Sequence, residues 1–224
     1  MDIKKIIEVI TIFKKNKYRA YLVGGSSRDY LYARGFNDVD LATNAPIDFI
    51  KKTFNVINED GKAMGSIKIN YKNIVMEITR FRKEKYKGNS NFPKIEEYLY
   101  DAEDDAVRRD FTINAIYLDL TNNEIVDPFQ GIKDLFSYKV KFIGDPVTRI
   151  NEDPTRIIRG IRLAYKMNFT IDEETNKAFI NGIDQLDRLS AKKLNKEIDK
   201  TILELGEERA IKILAMYNIS KKGE

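Results

Sequence analysis

The chain has 224 residues, a formal net charge of +4, 42% hydrophobic and 33% charged residues, and neither cysteine nor histidine. Such a chain is long enough to bury a hydrophobic core and too apolar to be intrinsically disordered. The missing residue types exclude disulfides, thiolate or imidazole metal sites and histidine-based triads, so any chemistry rests on carboxylates, basic groups, hydroxyls and bound metal.

The amino-terminal part of the chain predicts alternating helices and strands. Apolar residues at spacings of three and four favour helices, and short aliphatic runs bounded by Gly, Asn or Pro favour strands. Ser26 follows Gly24-Gly25 and is the expected N-cap of a helix, whereas Pro46 opens another. The predicted elements are a helix at 2–16, a strand at 18–23, a helix from 26 to about 33, a strand at 38–42 and a helix from 46 to about 54.

Further along, the pattern changes from strands to helices. The polar segment 83–100 predicts a loop, of which 83–95 is expected to be mobile. From Asp153 onward the pattern is helical. Strands are predicted at 55–57, 66–70, 74–79, 113–120, 124–126 and 140–143. We therefore expect an α+β protein: a head at 1–140, with a small mixed or antiparallel sheet and flanking helices, followed by an all-helical neck at 141–224.

No apolar run approaches the roughly 18 residues of a membrane span, and residues 1–13 lack the uninterrupted apolar core of a secretory signal. We therefore expect a cytoplasmic protein with no membrane partner.

Asp38 and Asp40 are the first candidates for catalysis. Residues two apart on a strand point to the same face. Two such carboxylates repel each other unless a cation lies between them, and oxygen ligands at this spacing suit Mg²⁺. The spacing alone is a weak signal, because a solvated strand end is its more common meaning.

The segment just upstream adds a candidate phosphate-binding turn. Gly24 and Gly25 lie between a predicted strand and a predicted helix, where glycine lets the backbone approach a phosphate closely. A helix N-terminus favours anions, and Arg28 can add a guanidinium fork. An ordinary strand-to-helix turn is the alternative for the glycines by themselves.

These two segments together resemble a known family. Residues 22–31, which read LVGGSSRDYL, and 37–43, which read NDVDLAT, resemble the head of class II CCA-adding enzymes and bacterial poly(A) polymerases. Three more segments agree with that family in order and spacing: RRDFTINA at 108–115, VDPFQG at 126–131 and EDPTR at 152–156.

The resemblance implies a Mg²⁺-dependent, template-independent nucleotidyltransferase. It would add C and A from CTP and ATP to the 3′ end of tRNA or tRNA-like RNA and release pyrophosphate. Asp38 and Asp40 would hold two metal ions, and Glu77 is either a third carboxylate near them or a solvated strand residue. Asp110 would bind the ribose 2′-hydroxyl, although a surface ion pair is the alternative. The nucleotide-binding residues implied are Gly24, Gly25, Arg28, Arg109, Asp110, Asn114, Asp153, Arg156, Arg159 and Arg162.

Asp153 and Arg156 are expected to read the incoming base from one helix face, being three residues apart. Cytosine and adenine share an amino donor beside an unprotonated ring nitrogen, which an Asp acceptor and an Arg donor match. Guanine and uracil would leave buried polar groups unsatisfied at about 1–3 kcal/mol each. An intrahelical salt bridge is the alternative. Arg159, Arg162 and Lys166 continue a basic stripe that we expect to line a cleft for triphosphate or the RNA end, with solvent exposure open for Lys166.

Two departures from the family keep other functions open. We expect the body and tail domains that usually follow the neck to be absent, which leaves room for a protein partner that supplies tRNA binding. The 84–95 segment also lacks the Arg-Arg-Pro often found there. A CC-adding, A-adding or poly(A)-forming enzyme, or a catalytically inactive RNA-binding module, therefore remain as alternatives.

Overall fold

The computed structural model describes residues 2–36, 38–86 and 92–223. These residues divide into two compact units. The first unit consists of the described residues within 1–85, 94–109 and 113–132. The second consists of those within 86–93, 110–112 and 133–224. The division into a head at 1–140 and a neck at 141–224 is a functional one and stays a prediction.

The first unit contains nine of the described strands and four complete helices. Its helices are α1 Ile3–Lys15, α2 Gly24–Leu31, α3 Ile47–Thr53 and α4 Ala102–Ala106, and α5 Gly131–Phe136 continues into the second unit. Its strands are β1 Ala20–Leu22, β2 Val39–Thr43, β3 Asn55–Asn58, β4 Ser66–Tyr71, β5 Ile74–Arg80, β6 Arg82–Lys85, β7 Lys94–Tyr98, β8 Tyr117–Asp119 and β9 Glu124–Val126.

Among the described residues, seven strands form one sheet in the order β3-β4-β5-β2-β1-β8-β9. The pair β2 and β5 is parallel, and the other neighbours are antiparallel. This confirms the mixed sheet with flanking helices. Helix α1 supplies its apolar face to the core through Ile6, Val9, Ile10 and Phe13, all fully buried, as the helical spacing of these residues predicts.

The loop predicted at 83–100 is wrong for most of its described residues. Strands β6 and β7 pair as an antiparallel hairpin, and Lys83 Nζ lies 3.1 Å from the Glu96 carboxylate across it. The polar composition suggested a loop because both strands are charged rather than apolar. Residues 87–91, inside the segment expected to be mobile, lie outside the described residues.

The second unit is mainly helical. Its helices are α6 Pro146–Glu152, α7 Thr155–Met167, α8 Glu173–Asn181, α9 Ala191–Leu205 and α10 Glu207–Met216. A two-residue parallel pair, β10 Lys139–Val140 with β11 Thr170–Ile171, accompanies them. No helix within the described ranges is long and apolar enough to cross a lipid bilayer.

Helix α7 packs closely against aromatic rings. A Cβ at Gly160 would lie 2.4 Å from the Phe179 ring and 2.7 Å from the Phe111 ring, so glycine is required there for this approach. Phe111 in turn stacks on Phe142, with ring centroids 4.9 Å apart. Since Phe111 directly follows Asp110, this packing fixes the backbone that carries a predicted site residue.

Candidate active site

Asp40 and Glu77 lie side by side in the first unit, where β2 pairs with β5. Asp38 directly precedes β2, and Asp40 is the register partner of Glu77. Partners on neighbouring strands project from the same face of a sheet, so the structure places these two carboxyl groups together. Glu77 also accepts a hydrogen bond from Ser66 Oγ (2.6 Å) and lies 3.6 Å from Lys68 Nζ.

The electrostatic surroundings of Asp40 favour a bound cation. Burial raises the pKa of Asp40 to about 6, and the negative charges of Glu77 and Asp38 act in the same direction. Arg109 opposes this shift without cancelling it. A carboxyl group whose charged form is disfavoured by neighbouring carboxylates gains from a positive ion.

The donor set fits Mg²⁺ bound through two aspartates. Within the described residues, no three acidic side chains lie close enough together to form a metal site by themselves. Mg²⁺ is commonly held by one or two carboxylates, with water and substrate phosphates completing its coordination. Glu77 as a third carboxylate near the metals stays a prediction.

The glycine turn brings the start of α2 next to Asp40. Gly24 has a φ of +70°, a conformation that favours glycine. A Cβ at this position would lie 3.6 Å from Asp40 Oδ2 and 3.9 Å from Arg109 Nη1. Val23 is the N-cap residue and provides no side-chain hydrogen bond to the N-terminal amides of α2.

The prediction that Ser26 caps α2 is wrong, because the helix begins two residues earlier at Gly24. Ser26 is buried and instead connects α2 to the aspartate strand. Its hydroxyl donates to the Asp38 carbonyl (2.9 Å) and accepts from the Asp40 amide (2.9 Å). One side chain therefore positions the backbone of both predicted metal ligands.

Arg28 and Asn114 contact each other. Arg28 is buried, and it donates to Asn114 Oδ1 from Nη1 (2.8 Å) and to Asp29 Oδ1 from Nε (2.8 Å). The guanidinium predicted to bind phosphate thus links α2 to the segment before β8. Its contact with a phosphate stays a prediction.

Arg109 belongs to a buried network that the sequence reasoning missed. Its Nε donates to the Tyr117 hydroxyl (2.7 Å) and its Nη2 to Asp105 Oδ2 (3.2 Å), while Tyr117 donates to the same oxygen (2.7 Å). Burial by itself would raise the pKa of Asp105, but the guanidinium groups of Arg108 and Arg109 lower it to about 2. The placement of Asp105 three and four residues before these arginines was the available sequence signal.

Asp110 is nearly buried in the second unit and is held on both carboxylate oxygens. Its Oδ2 lies 2.6 Å from Arg159 Nη2, and its Oδ1 accepts from the Phe111 amide (2.9 Å). The structure therefore joins two of the predicted nucleotide-binding residues as an ion pair. A ribose hydroxyl at Asp110 would share the carboxylate with Arg159.

Asp153 and Arg156 do not share a helix, contrary to the prediction. Asp153 has an extended backbone at the end of α6, and α7 begins after Pro154, because a residue before proline avoids the helical conformation. Asp153 Oδ1 lies 3.1 Å from Lys193 Nζ. Buried Arg156 donates to Glu152 Oε2 (2.7 Å), the Arg149 carbonyl (2.7 Å) and the Tyr86 hydroxyl (3.1 Å). The simple Asp153–Arg156 salt bridge is therefore also wrong.

The basic stripe on α7 is balanced by carboxylates of the second unit. Arg162 Nη1 lies 2.9 Å from Glu197 Oε2, and Lys166 Nζ lies 2.8 Å from Glu204 Oε2. Glu197 and Glu204 are both on α9, and Arg159 forms its ion pair with Asp110. Arg162 is mostly buried in this contact, so it also joins α7 to α9. A contact of Arg159 or Arg162 with nucleotide stays a prediction.

An aspartate pair on a mixed sheet, beside a glycine turn that starts a helix, defines the class of nucleotidyltransferases. The sequence profile described as the poly A polymerase head domain matches residues 20–141. This is more than half of the chain, which therefore belongs to that family, the family of class II CCA-adding enzymes and bacterial poly(A) polymerases.

Individual relatives agree with this assignment. The chain is 32% identical over 216 residues to the CCA-adding enzyme of Anoxybacillus flavithermus, covering 96% of this chain and 54% of the relative. It is 38% identical over 186 residues to the CCA-adding enzyme of Staphylococcus epidermidis, covering 83% of this chain and 46% of that relative. The crystal structure of the Bacillus stearothermophilus CCA-adding enzyme in complex with CTP superposes with a TM-score of 0.83 at 27% identity, covering 98% and 54%. The chain thus spans about half the length of the curated relatives it matches.

Proposed function

We propose that this protein is a template-independent RNA nucleotidyltransferase that adds C and A from CTP and ATP to the 3′ end of tRNA or tRNA-like RNA. The observation that carries the proposal is the juxtaposition of Asp40 and Glu77 on adjacent parallel strands, next to the Gly24 turn. Family membership and relatives named CCA-adding enzymes support it. Action on tRNA is consistent with the cytoplasmic location expected from the sequence.

In the proposed reaction, the RNA 3′ oxygen bonds to the α-phosphorus of the nucleotide and the bond to pyrophosphate breaks. Asp38 and Asp40 would hold Mg²⁺. Bound Mg²⁺ supplies stabilisation for the attacking and leaving oxygens. The start of α2, which lies beside Asp40, would orient triphosphate oxygens through backbone amides. Asp153 and Arg156 would select the base, and Asp110 would bind the ribose.

Poly(A) formation is the second candidate, because the family profile that matches the chain is named for poly A polymerase. CC-only or A-only addition would use the same residues. A catalytically inactive RNA-binding module is disfavoured by the presence of both Asp38 and Asp40 at the predicted metal site.

A single set of reactions tests these candidates. The protein is incubated with Mg²⁺, each labelled NTP in turn, and tRNAs that lack the last three, the last two or only the last nucleotide. Addition of two C residues followed by a single A is the expected result. Long A tails on any RNA would favour poly(A) polymerase. The absence of any metal-dependent incorporation would refute the proposed function.

Ser26→Ala is expected to raise the Mg²⁺ concentration needed for half-maximal activity severalfold. The substitution removes the hydroxyl that holds the Asp38 carbonyl and the Asp40 amide, and each lost hydrogen bond costs about 1 kcal/mol. Mn²⁺ binding measured by electron paramagnetic resonance should weaken in parallel. Ser27→Ala is the matched control, since buried Ser27 donates within the same helix to the Gly24 carbonyl (3.1 Å). Identical metal dependence in the two variants would show that Ser26 contributes only to folding.

Asp110→Ala is expected to reduce the preference for CTP over dCTP by about tenfold or more, because a hydrogen bond to a charged group contributes roughly 1.5–3 kcal/mol. The measurement is the ratio of kcat/KM for the two nucleotides. Arg159→Ala is the companion variant, because it breaks the 2.6 Å ion pair and keeps the carboxylate. Arg159→Ala should preserve most of the preference for CTP over dCTP. If Asp110→Ala still distinguishes CTP from dCTP as before, another residue binds the ribose.

A further inference from the structure

A cavity of about 510 Å³ lies in the first unit, beside the residues that lead into β1. The turn after α1, the start of α4 and the β8–β9 hairpin contribute to its lining. Asp40 lies at the other end of β1, where the Val23 amide donates to the Asp40 carbonyl (3.0 Å). The cavity is therefore separate from the metal-binding aspartates, and its role is independent of the proposed reaction.

Two of the three cations that line the cavity are neutralised by the protein itself. Lys14 Nζ lies 2.6 Å from Asp119 Oδ2 and also donates to Thr121 Oγ1 (2.8 Å). Arg19 pairs with Asp101 and lies over the Tyr100 ring, 4.8 Å from its centroid. These pairs leave little positive charge to attract an anion.

The remaining ionised groups of the lining have an excess of negative charge. Glu103 and Glu124 both line the cavity, and neither forms an ion pair within the described part of the chain. Lys17 is the remaining cation and is likewise without an ion pair there. Two carboxylates therefore face one ammonium group on a flexible, exposed side chain.

Tyr21 provides a second, independent indication of a ligand. It lines the cavity, only 5% of its surface is exposed, and its ring packs against Phe81 and Tyr117. No hydrogen-bond partner for its hydroxyl occurs among the described residues. Burial and the charge of Glu124 raise the pKa of Tyr21 to about 12, so the hydroxyl stays protonated. The ring is buried while the hydroxyl reaches the cavity, where it is available to a ligand.

We propose that this cavity binds a primary alkylammonium group, held by Glu103 and Glu124 and by the hydroxyl oxygen of Tyr21. An ammonium group has three donors and no acceptor, which matches two carboxylates and a phenolic oxygen. The ammonium group comes either from a free aliphatic amine or from a lysine side chain of another protein.

The test is a calorimetric titration of the full chain with 1,4-diaminobutane, with N-acetyl-lysine methylamide in a parallel arm and glutarate as the anionic counterpart. Saturable binding of either amine is expected, and the preferred amine identifies the source. The double variant Glu103→Gln with Glu124→Gln should raise Kd at least about tenfold, and Tyr21→Phe about fivefold. Lys17→Ala should lower Kd.

Asp104→Asn is the matched control, because Asp104 is an exposed neighbour of Glu103 on α4 and its charge lies outside the cavity lining. It should leave Kd unchanged, and circular dichroism of each variant shows whether the fold is retained. Three results would overturn the proposal: no saturable binding of either amine, equal binding by the folded double variant, or preferential binding of glutarate.

Discussion

Asp40→Ala and Asp38→Ala are each expected to lower nucleotide addition by at least about a thousandfold, because loss of a carboxylate that would hold the metal removes several kcal/mol of transition-state stabilisation. The structure supports a large effect, since Asp38 directly precedes β2, Asp40 lies in it, and one serine hydroxyl holds the backbone of both. The measurement is single-turnover addition of CTP to a tRNA that lacks its 3′ end, with Mg²⁺ at saturation.

The same variants should keep the fold. Burial and the neighbouring Glu77 carboxylate raise the pKa of Asp40 to about 6, so keeping this carboxyl ionised at neutral pH costs folding free energy in the metal-free protein. Asp40→Asn, which removes this charge with little change in shape, should have an equal or higher Tm without metal. Asp104→Asn, at an exposed position on α4, is the control for a general loss of negative charge. Undiminished turnover in Asp38→Ala or Asp40→Ala would contradict the metal-binding assignment.

Asp153→Ala should relax the exclusion of UTP and GTP by about ten- to a hundredfold relative to CTP and ATP. The carboxylate that would face their carbonyl groups is removed, and each such mismatch is worth about 1–3 kcal/mol. Arg156→Ala should have a similar effect through the ring-nitrogen contact. Incorporation of all four NTPs by each variant is the measurement.

The contacts of these residues provide the controls. Glu152 Oε2 binds both Arg156 (2.7 Å) and Arg149 (2.6 Å), so Glu152 keeps a cationic partner in Arg156→Ala. Arg149→Gln breaks the Arg149–Glu152 ion pair and keeps the Arg156–Glu152 pair, so it should leave base choice unchanged. Lys193→Ala removes the ion-pair partner of Asp153 and tests whether Asp153 acts only through that pair. Unaltered exclusion of UTP and GTP in Asp153→Ala and Arg156→Ala would leave a nucleotidyltransferase whose base choice has another origin.

The sequence predicted best those features that depend on short segments. The helical face of α1, the strand that carries Asp40 and the strand that carries Glu77 follow from local periodicity, and the structure contains all three. The β6–β7 hairpin was missed because its strands are held by charged pairs such as Lys83–Glu96, which resemble a polar loop in sequence. The prediction began the helix at Asp153, although Pro154 follows directly and α7 begins at Thr155.

The arginines show the same difference between what short segments predict and what depends on the fold. Spacing predicted Arg156, Arg159 and Arg162 as part of a basic stripe, the turn before α2 pointed to Arg28, and the family resemblance implied Arg109. The sequence did not show what each one contacts. Arg28 binds Asn114, and Arg162 binds Glu197, a residue 35 positions away. A guanidinium is satisfied by whichever carboxylate or carbonyl the fold brings within hydrogen-bonding distance.

The sequence by itself determined the family, the aspartate pair and the glycine turn, because these depend on residue type at fixed short spacing. Only the tertiary structure decided that Asp40 faces Glu77, that Ser26 holds the aspartate strand, and that Asp153 and Arg156 have separate partners. It alone also revealed the cavity around Tyr21. The physical reason is that burial, pKa shifts and ion pairing depend on distances between residues far apart in the chain, and those distances exist only after the strands and helices have packed.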